Sequence, residues 1–426
     1  MTLHQTLRAP SLASCERSVL LLQGPPTPFW RELGQAFAGA GHPVRHLGFC
    51  LGDRLLWAGA GTATFRGPLA AWGERLEAEI RAGGVTDLLY YADRVPYHRA
   101  AIEVARRLGV RAWAVENGYL RPDWITLEAE GMGAYSRFPR EPCAIEALAV
   151  GRPLPDPTPR YRHGFVREAM AEVAYNLALS AGRPFFPRYA SEKWLPPPVD
   201  YASWPRKWLV NIAARRAARD SIPAPYALLA LQLASDYQIR ASSAYHRLED
   251  MLADVLESFA AHAPAVLKLV VKVHPLDNGW HGWPRILRRL AEQRGIGGRV
   301  QVIDGGDLGG LLAAAHGLVT VNSTVGLTAL RAGVPVIALG DAVYDLPGLC
   351  HRGGLDRFWT APQPVDVEFA EIFVRALTRI QVRGSFYDPA GRRAAVAEIV
   401  RRIERPDDHW ILARPLAALG PGPRRR

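Results

Sequence analysis

Lys272-Val273-His274-Pro275, Val321-Asn322-Ser323-Thr324-Val325-Gly326-Leu327 and Ala332-Gly333-Val334-Pro335-Val336-Ile337-Ala338-Leu339-Gly340 fall within residues 272–340. Each reads as the end of a buried strand followed by a polar or glycine-containing turn, and the second turn enters a helix. This is the layout of half of a doubly wound α/β protein, in which ligands sit at the carboxyl ends of parallel strands. An imidazole at one strand end and hydroxyls at a helix start beside another would suit a phosphate ester between them.

The alternation continues on both sides. Downstream of a connector, strands are predicted at 226–233, 267–273, 300–303, 317–321 and 335–338. Helices at 245–262, 284–293, 308–315 and 324–332 separate them, and helices at 365–380 and 390–403 follow. Upstream, strands at 18–22, 44–49, 87–91 and 110–115 alternate with helices at 29–39, 68–82 and 98–108. Such an order predicts parallel sheets covered on both faces. Residues 150–210 differ, being rich in Pro, Arg and Trp, with Pro196-Pro197-Pro198 and Trp204-Pro205 marking a helical and irregular connector. The expected division is a flexible leader at 1–17, a first unit at 18–180, a connector at 181–224 and a second unit at 225–385. A C-terminal helix and a disordered basic tail complete it at 386–426.

A chain of 426 residues suits two cores better than one. Lys plus Arg number 52 against 41 Asp plus Glu, a formal charge of +11 that favours anionic partners. The four cysteines, at 15, 50, 143 and 350, include no Cys-x-x-Cys pair, so neither zinc nor a redox dithiol is indicated. No window approaches the roughly 20 apolar residues of a membrane span, which points to a cytoplasmic protein able to visit a membrane face.

Candidate chemistry gathers at strand ends. Asp93 follows one strand and Glu116 the next, so two carboxylates would face one crevice, as a nucleophile with a partner or a base with a positioning group. Asp93 equally suits a helix N-cap. Arg94 and His98 would bind an anionic substrate or pair with Asp93. Gln23-Gly24-Pro25-Pro26 would let backbone amides approach an anion, or be an ordinary tight turn. In the second half, His274-Pro275 and Asn322-Ser323-Thr324 together form a better phosphate pocket than either alone, and Lys272 would add charge. Gln232, Asp236 and Gln238 place polar groups near the domain junction.

Taken in order, these strings resemble the capsule polysaccharide biosynthesis and export proteins of the Kps/Lip type. The matching pieces are Asp93-Arg94 with His98-Arg99-Ala100-Ala101, and Glu116-Asn117-Gly118-Tyr119-Leu120-Arg121-Pro122-Asp123-Trp124-Ile125-Thr126-Leu127-Glu128. Leu231 to Gln238, Lys272 to Pro275 and Asn322 to Leu327 complete the series, and Leu20 to Pro25 is similar to the shorter, single-transferase member of the pair. The resemblance covers roughly residues 18 to 385.

It implies a GT-B-type glycosyltransferase, with two Rossmann-like domains facing a central cleft. The implied reaction is a retaining β-Kdo transfer from CMP-Kdo to a phosphatidylglycerol-type lipid, starting the linker of a capsular polysaccharide. Retention implies a carboxylate nucleophile, Asp93 first and Glu116 second. His274, Pro275, Asn322, Ser323 and Thr324, with Lys272, Gln232, Asp236 and Gln238, would hold the donor. Gln23, Gly24, Arg94, His98, Asn117 and Arg121 would meet substrate. Asn117 departs from the acidic residue that many relatives carry there. No cofactor or metal is implied. The implied partners are CMP-Kdo, an anionic lipid acceptor and capsule assembly or export proteins, without nucleic acid. The implied location is the inner face of the cytoplasmic membrane. A nucleotide-activated polyol-phosphate transferase and a non-catalytic assembly scaffold are the alternatives.

Overall fold

The computed structural model describes residues 17–405, apart from 60, 162–163, 192–196, 219–221, 223, 235–238 and 240–241. Residues 1–16 of the expected leader, Lys193 and Trp194 of the connector and the tail from 406 lie outside the described residues. Twelve strands are described: β1 (Val19–Leu21), β2 (Val44–Gly48), β3 (Thr62–Thr64), β4 (Asp87–Tyr91), β5 (Arg111–Asn117), β6 (Trp124–Ala129), β7 (Tyr226–Ala230), β8 (Lys268–Val273), β9 (Val300–Asp304), β10 (Ala315–Thr320), β11 (Val336–Ala338) and β12 (Gln381–Arg383).

They form two sheets, ordered β12-β6-β5-β4-β1-β2-β3 and β11-β10-β7-β8-β9. The second is parallel throughout. In the first, β1 to β5 are parallel, β6 runs antiparallel to β5, and β12 antiparallel to β6. The central strands β1 and β7 are apolar along their length because helices cover both faces. Every residue of β1 and β7 is buried. Phe29–Gly39 covers the first sheet with Phe29, Trp30, Leu33 and Phe37, while Trp283–Gln293 covers the second with Trp283, Leu287 and Ala291. These spacings put the buried side chains on one stripe of each helix. Two Rossmann-like units whose strand carboxyl ends meet across one cleft make the GT-B arrangement.

The structure departs from the sequence reading in several places. The turn predicted after Val115 begins later, since Glu116 and Asn117 belong to β5 and pair with Thr126 and Ile125 of β6. The short strand β3, the strand β6 and the helix Leu51–Trp57 were not anticipated. Residues 381–383, assigned above to the second unit, form the edge strand of the first sheet. The helix Pro389–Glu404 then packs on Phe29–Gly39, with Phe386 edge-on to Phe29 at 4.9 Å and Arg392 Nε 3.0 Å from Glu32 Oε1. The chain thus crosses back, and the first unit is completed by its C-terminal residues. Three residues, Gln-Val-Arg, are too few to show an alternating pattern.

The helices between the two sheets grip both units. Tyr175 of the helix Phe165–Ala181 donates to Asp53 Oδ1 at 2.7 Å, and Gly52 leaves room for its ring, since a Cβ there would lie 2.5 Å from it. On the other unit, Lys207 of the helix Trp204–Val210 donates from Nζ to the Pro275 carbonyl at 2.6 Å.

Candidate active site

The facing strand ends enclose a cavity of about 220 Å³. Glu116 and Asn117 at the end of β5, with Tyr119, Arg121, Thr126, Met132 and Gly133, form one wall. The opposite wall is Gln232 after β7, His274 after β8, Asn322 to Thr324 after β10 and Asp341 to Tyr344 after β11. Four successive strand ends of a parallel sheet therefore converge on one space, as its topology requires.

On the second-unit wall, Gln232 locks the Asn322 turn by donating from Nε2 to Asn322 Oδ1 at 2.9 Å and accepting from its backbone N at 3.1 Å. The buried Tyr344 hydroxyl donates to the Ser323 carbonyl at 2.5 Å. Thr324 stands at the N-cap position of Val325–Arg331 without a side-chain capping bond. His274 Nδ1 accepts from the Leu276 amide at 3.1 Å, so the neutral ring carries its proton on Nε2. Burial lowers the His274 pKa to about 4; Asp277 opposes the shift, and Lys207, Lys272 and Arg121 reinforce it. The imidazole is thus a neutral donor at pH 7.

On the first-unit wall, Glu116 reaches the cavity and Asn117 Nδ2 donates to the Tyr91 hydroxyl at 3.3 Å. Arg121 is exposed at the mouth. The Tyr119 amide donates to Oε1 of the fully buried Gln381, whose Nε2 donates to Thr126 Oγ1 at 3.0 Å. The returning strand β12 therefore braces the wall.

Other candidates sit elsewhere. Asp93 is completely buried. Its Oδ2 accepts from the Met132 amide at 3.0 Å and from Arg94 Nε at 3.1 Å. Burial raises its pKa and Arg94 opposes that. Asp93 lies behind the Met132–Gly133 rim and not in the cavity wall, and the N-cap of Pro96–Leu108 is Val95. Arg94 is engaged with Asp93 and stacks at 3.5 Å on the Tyr135 ring, so its charge is committed within the protein. His98 has no exposure and shares a 2.8 Å hydrogen bond between Nδ1 and the Ala92 carbonyl; burial lowers its pKa to about 4. It cannot touch substrate from there.

Gln23 is buried away from the cleft, donating to Asp53, Tyr175 and Tyr189. Gly24 accommodates Trp30, since a Cβ there would lie 2.6 Å from the indole. Both serve connector and core packing. Lys272 is buried, and its charge faces Asp304. Pro275 is exposed and offers its carbonyl to Lys207. Asp236 and Gln238 lie outside the described residues.

The sequence reading missed Tyr119, Met132, Gly133 and the Asp341–Tyr344 loop. It also missed Glu128, whose buried carboxyl group shares a 2.7 Å hydrogen bond with the Tyr119 hydroxyl. An acidic residue inside an apolar strand, Trp-Ile-Thr-Leu-Glu-Ala, was the available signal for the last.

Residues 86–387 match the family described as "Capsule polysaccharide biosynthesis protein". The chain is 31% identical to the "Capsule polysaccharide export protein KpsS" of Escherichia coli over 87% of its length and 97% of the relative's. It is 30% identical to the "Capsule polysaccharide modification protein LipB" of Neisseria meningitidis serogroup A, over 88% and 93%. Among solved structures, "Thermosulfurimonas dismutans KpsC, beta Kdo 2,7 transferase" aligns with 15% identity over 90% of this chain and 99% of that one, at a TM-score of 0.44. The family match spans more than half of the chain and the two relatives are covered almost end to end, so the chain belongs to the family of capsule polysaccharide biosynthesis proteins.

Proposed function

We propose that the protein is a retaining β-Kdo glycosyltransferase, carrying Kdo from CMP-Kdo to a phosphatidylglycerol-type lipid and so starting a capsular polysaccharide linker. The observation that carries this reading is one cavity shared by a carboxylate of the first sheet, Glu116, and the His274 and Asn322–Thr324 turns of the second. Membership of a capsule biosynthesis family supports a saccharide substrate.

In this reading the CMP phosphate lies against the second-unit wall. His274 donates from Nε2, and the Ser323 and Thr324 hydroxyls add neutral donors. Arg121 meets the sugar carboxylate at the mouth. Glu116 attacks the anomeric carbon while the bond to the phosphate oxygen breaks, and CMP departs with the electron pair. The acceptor hydroxyl then displaces the Glu116 carboxylate and gives up its proton to solvent in the open cleft, so two inversions give net retention. Glu116 takes the nucleophile's role over Asp93 because it faces the cavity. The reaction uses no cofactor or metal.

The test is incubation of purified protein with CMP-Kdo and a phosphatidylglycerol acceptor, followed by mass and anomeric analysis of the product. A β-linked Kdo-lipid is expected. Turnover only with a CDP-linked polyol, or with no activated donor, would replace this reading with a polyol-phosphate transferase or an assembly scaffold respectively.

A further inference from the structure

The rim formed by residues 132–136 is pinned at four points. The Met132 amide bonds to Asp93, and the Gly133 amide donates to the Tyr119 hydroxyl at 2.7 Å. The Tyr135 ring lies under Arg94, and Ser136 Oγ bonds to Glu128 Oε2. The pins lead to two buried carboxyls, Asp93 and Glu128. Arg94 pairs with Asp93, whereas Glu128 has hydroxyl partners only, Tyr119 and Ser136, among the described residues. Arg106 and Arg137 pair instead with Glu130, two residues further along. Met132, Gly133 and Tyr119 all line the cleft.

We propose that Glu128 is a positioning residue whose protonation sets the direction in which the Tyr119 hydroxyl donates, and with it the hydrogen-bonding character of the cleft wall. Neutral Glu128 donates its own proton to Tyr119. The Tyr119 oxygen then accepts from Glu128 and Gly133, and its own hydrogen is released from Glu128 for a sugar oxygen in the cleft. Ionised Glu128 has no proton, so both hydroxyls must donate to it and Tyr119 is withdrawn from the ligand. Burial favours the neutral form, raising the Glu128 pKa to about 8, and the neighbouring Asp93 adds to the effect. The neutral carboxyl is therefore the resting state at pH 7. Its effect on turnover rests on the transferase reading; its protonation does not.

The experiment compares wild type, E128Q and Y119F in transfer rate, CMP affinity and thermal unfolding between pH 5.5 and 9. Gln is a permanently neutral mimic that keeps a donor and an acceptor. Wild-type transfer should fall roughly fivefold from pH 8 to 9, as for a single ionisation near 8. E128Q should lack this limb, and Y119F should be about tenfold slower or worse at every pH, with CMP affinity within about threefold of wild type. The wild type should also lose unfolding temperature relative to E128Q as pH rises towards 8. The same alkaline limb in E128Q, or wild-type rates in Y119F, would overturn the proposal. Should the wild type transfer nothing from CMP-Kdo, the transferase reading fails alone. The unfolding comparison then decides: parallel curves for wild type and E128Q overturn the neutral Glu128, and diverging ones uphold it.

Discussion

At the scale of single residues, two carboxylates one strand apart have different surroundings and so different expected phenotypes. Glu116 faces the cavity, while Asp93 is sealed behind the rim with Arg94. E116Q should lose nearly all transfer and unfold at the wild-type temperature. Transfer kept within about tenfold, a barrier change of roughly 1.4 kcal/mol, would remove Glu116 as a reacting group. D93N should lose transfer as well, but with a lowered unfolding temperature, because Arg94 is left without its partner and breaking such a pair costs about 3–5 kcal/mol. On the donor side, in the proposed placement of CMP, H274A and S323A would each remove one hydrogen bond to its phosphate. Such a loss is worth about 1.5–3 kcal/mol, so calorimetry should show CMP affinity falling roughly tenfold to more than a hundredfold. With its pKa near 4, His274 stays neutral from pH 6 to 8, and the H274A deficit should be equal at both ends of that range. Below pH 6.5 the unfolded chain takes up a proton that folded His274 refuses, so its contribution to stability declines as pH falls towards 4. Unchanged affinity in both variants would place the nucleotide elsewhere.

At the scale of elements, the donor turn depends on how closely the helix Val325–Arg331 approaches the loop after β11. Gly326 makes this possible: a Cβ there would lie 2.2 Å from the hydroxyl of buried Tyr344, which itself bonds to the Ser323 carbonyl. G326A should push Tyr344 away and cost about 1–3 kcal/mol, as overpacking typically does. It should also weaken CMP binding, because the displaced tyrosine is what holds the Ser323 turn. Unfolding temperature and calorimetry on the same variant check both. Wild-type values in both would mean that the loop yields freely and does not shape the site.

At the scale of the whole molecule, the formal charge is +11, and exposed apolar side chains recur along the connector and the loop beside it. Phe185, Val199 and Leu209 are exposed on the connector, and Leu276 and Trp280 on the adjoining loop; Arg183 and Arg188 are also exposed. Lys207, basic in sequence, is buried against the Pro275 carbonyl and unavailable to headgroups. Among the described residues no helix is long and apolar enough to cross a membrane. A peripheral contact with anionic lipid is the expectation, each basic group near the surface contributing about 1 kcal/mol. Liposome flotation should therefore show binding that requires anionic lipid and weakens as salt rises. Equal flotation with neutral vesicles, or none with anionic ones at low salt, would end the membrane proposal and leave the transferase reading standing.

What the sequence by itself determined is the local pattern: apolar strands, helices with one buried stripe, and polar turns at strand ends. These follow from the periodicity of a few adjacent residues, which is why the Rossmann-like units and the His274 and Asn322–Thr324 turns were legible. Only the tertiary structure decided which partners those elements meet. Gln381 braces a wall residue 262 positions away, and Tyr175 draws Gln23 out of the cleft. Asp93 is buried while Glu116 reaches the cavity, although both stand at strand ends. Periodicity says that a side chain is covered, but not what covers it. Exposure, hydrogen-bond partners and pKa arise from that packing, so the division of roles among the acidic residues could be read only in three dimensions.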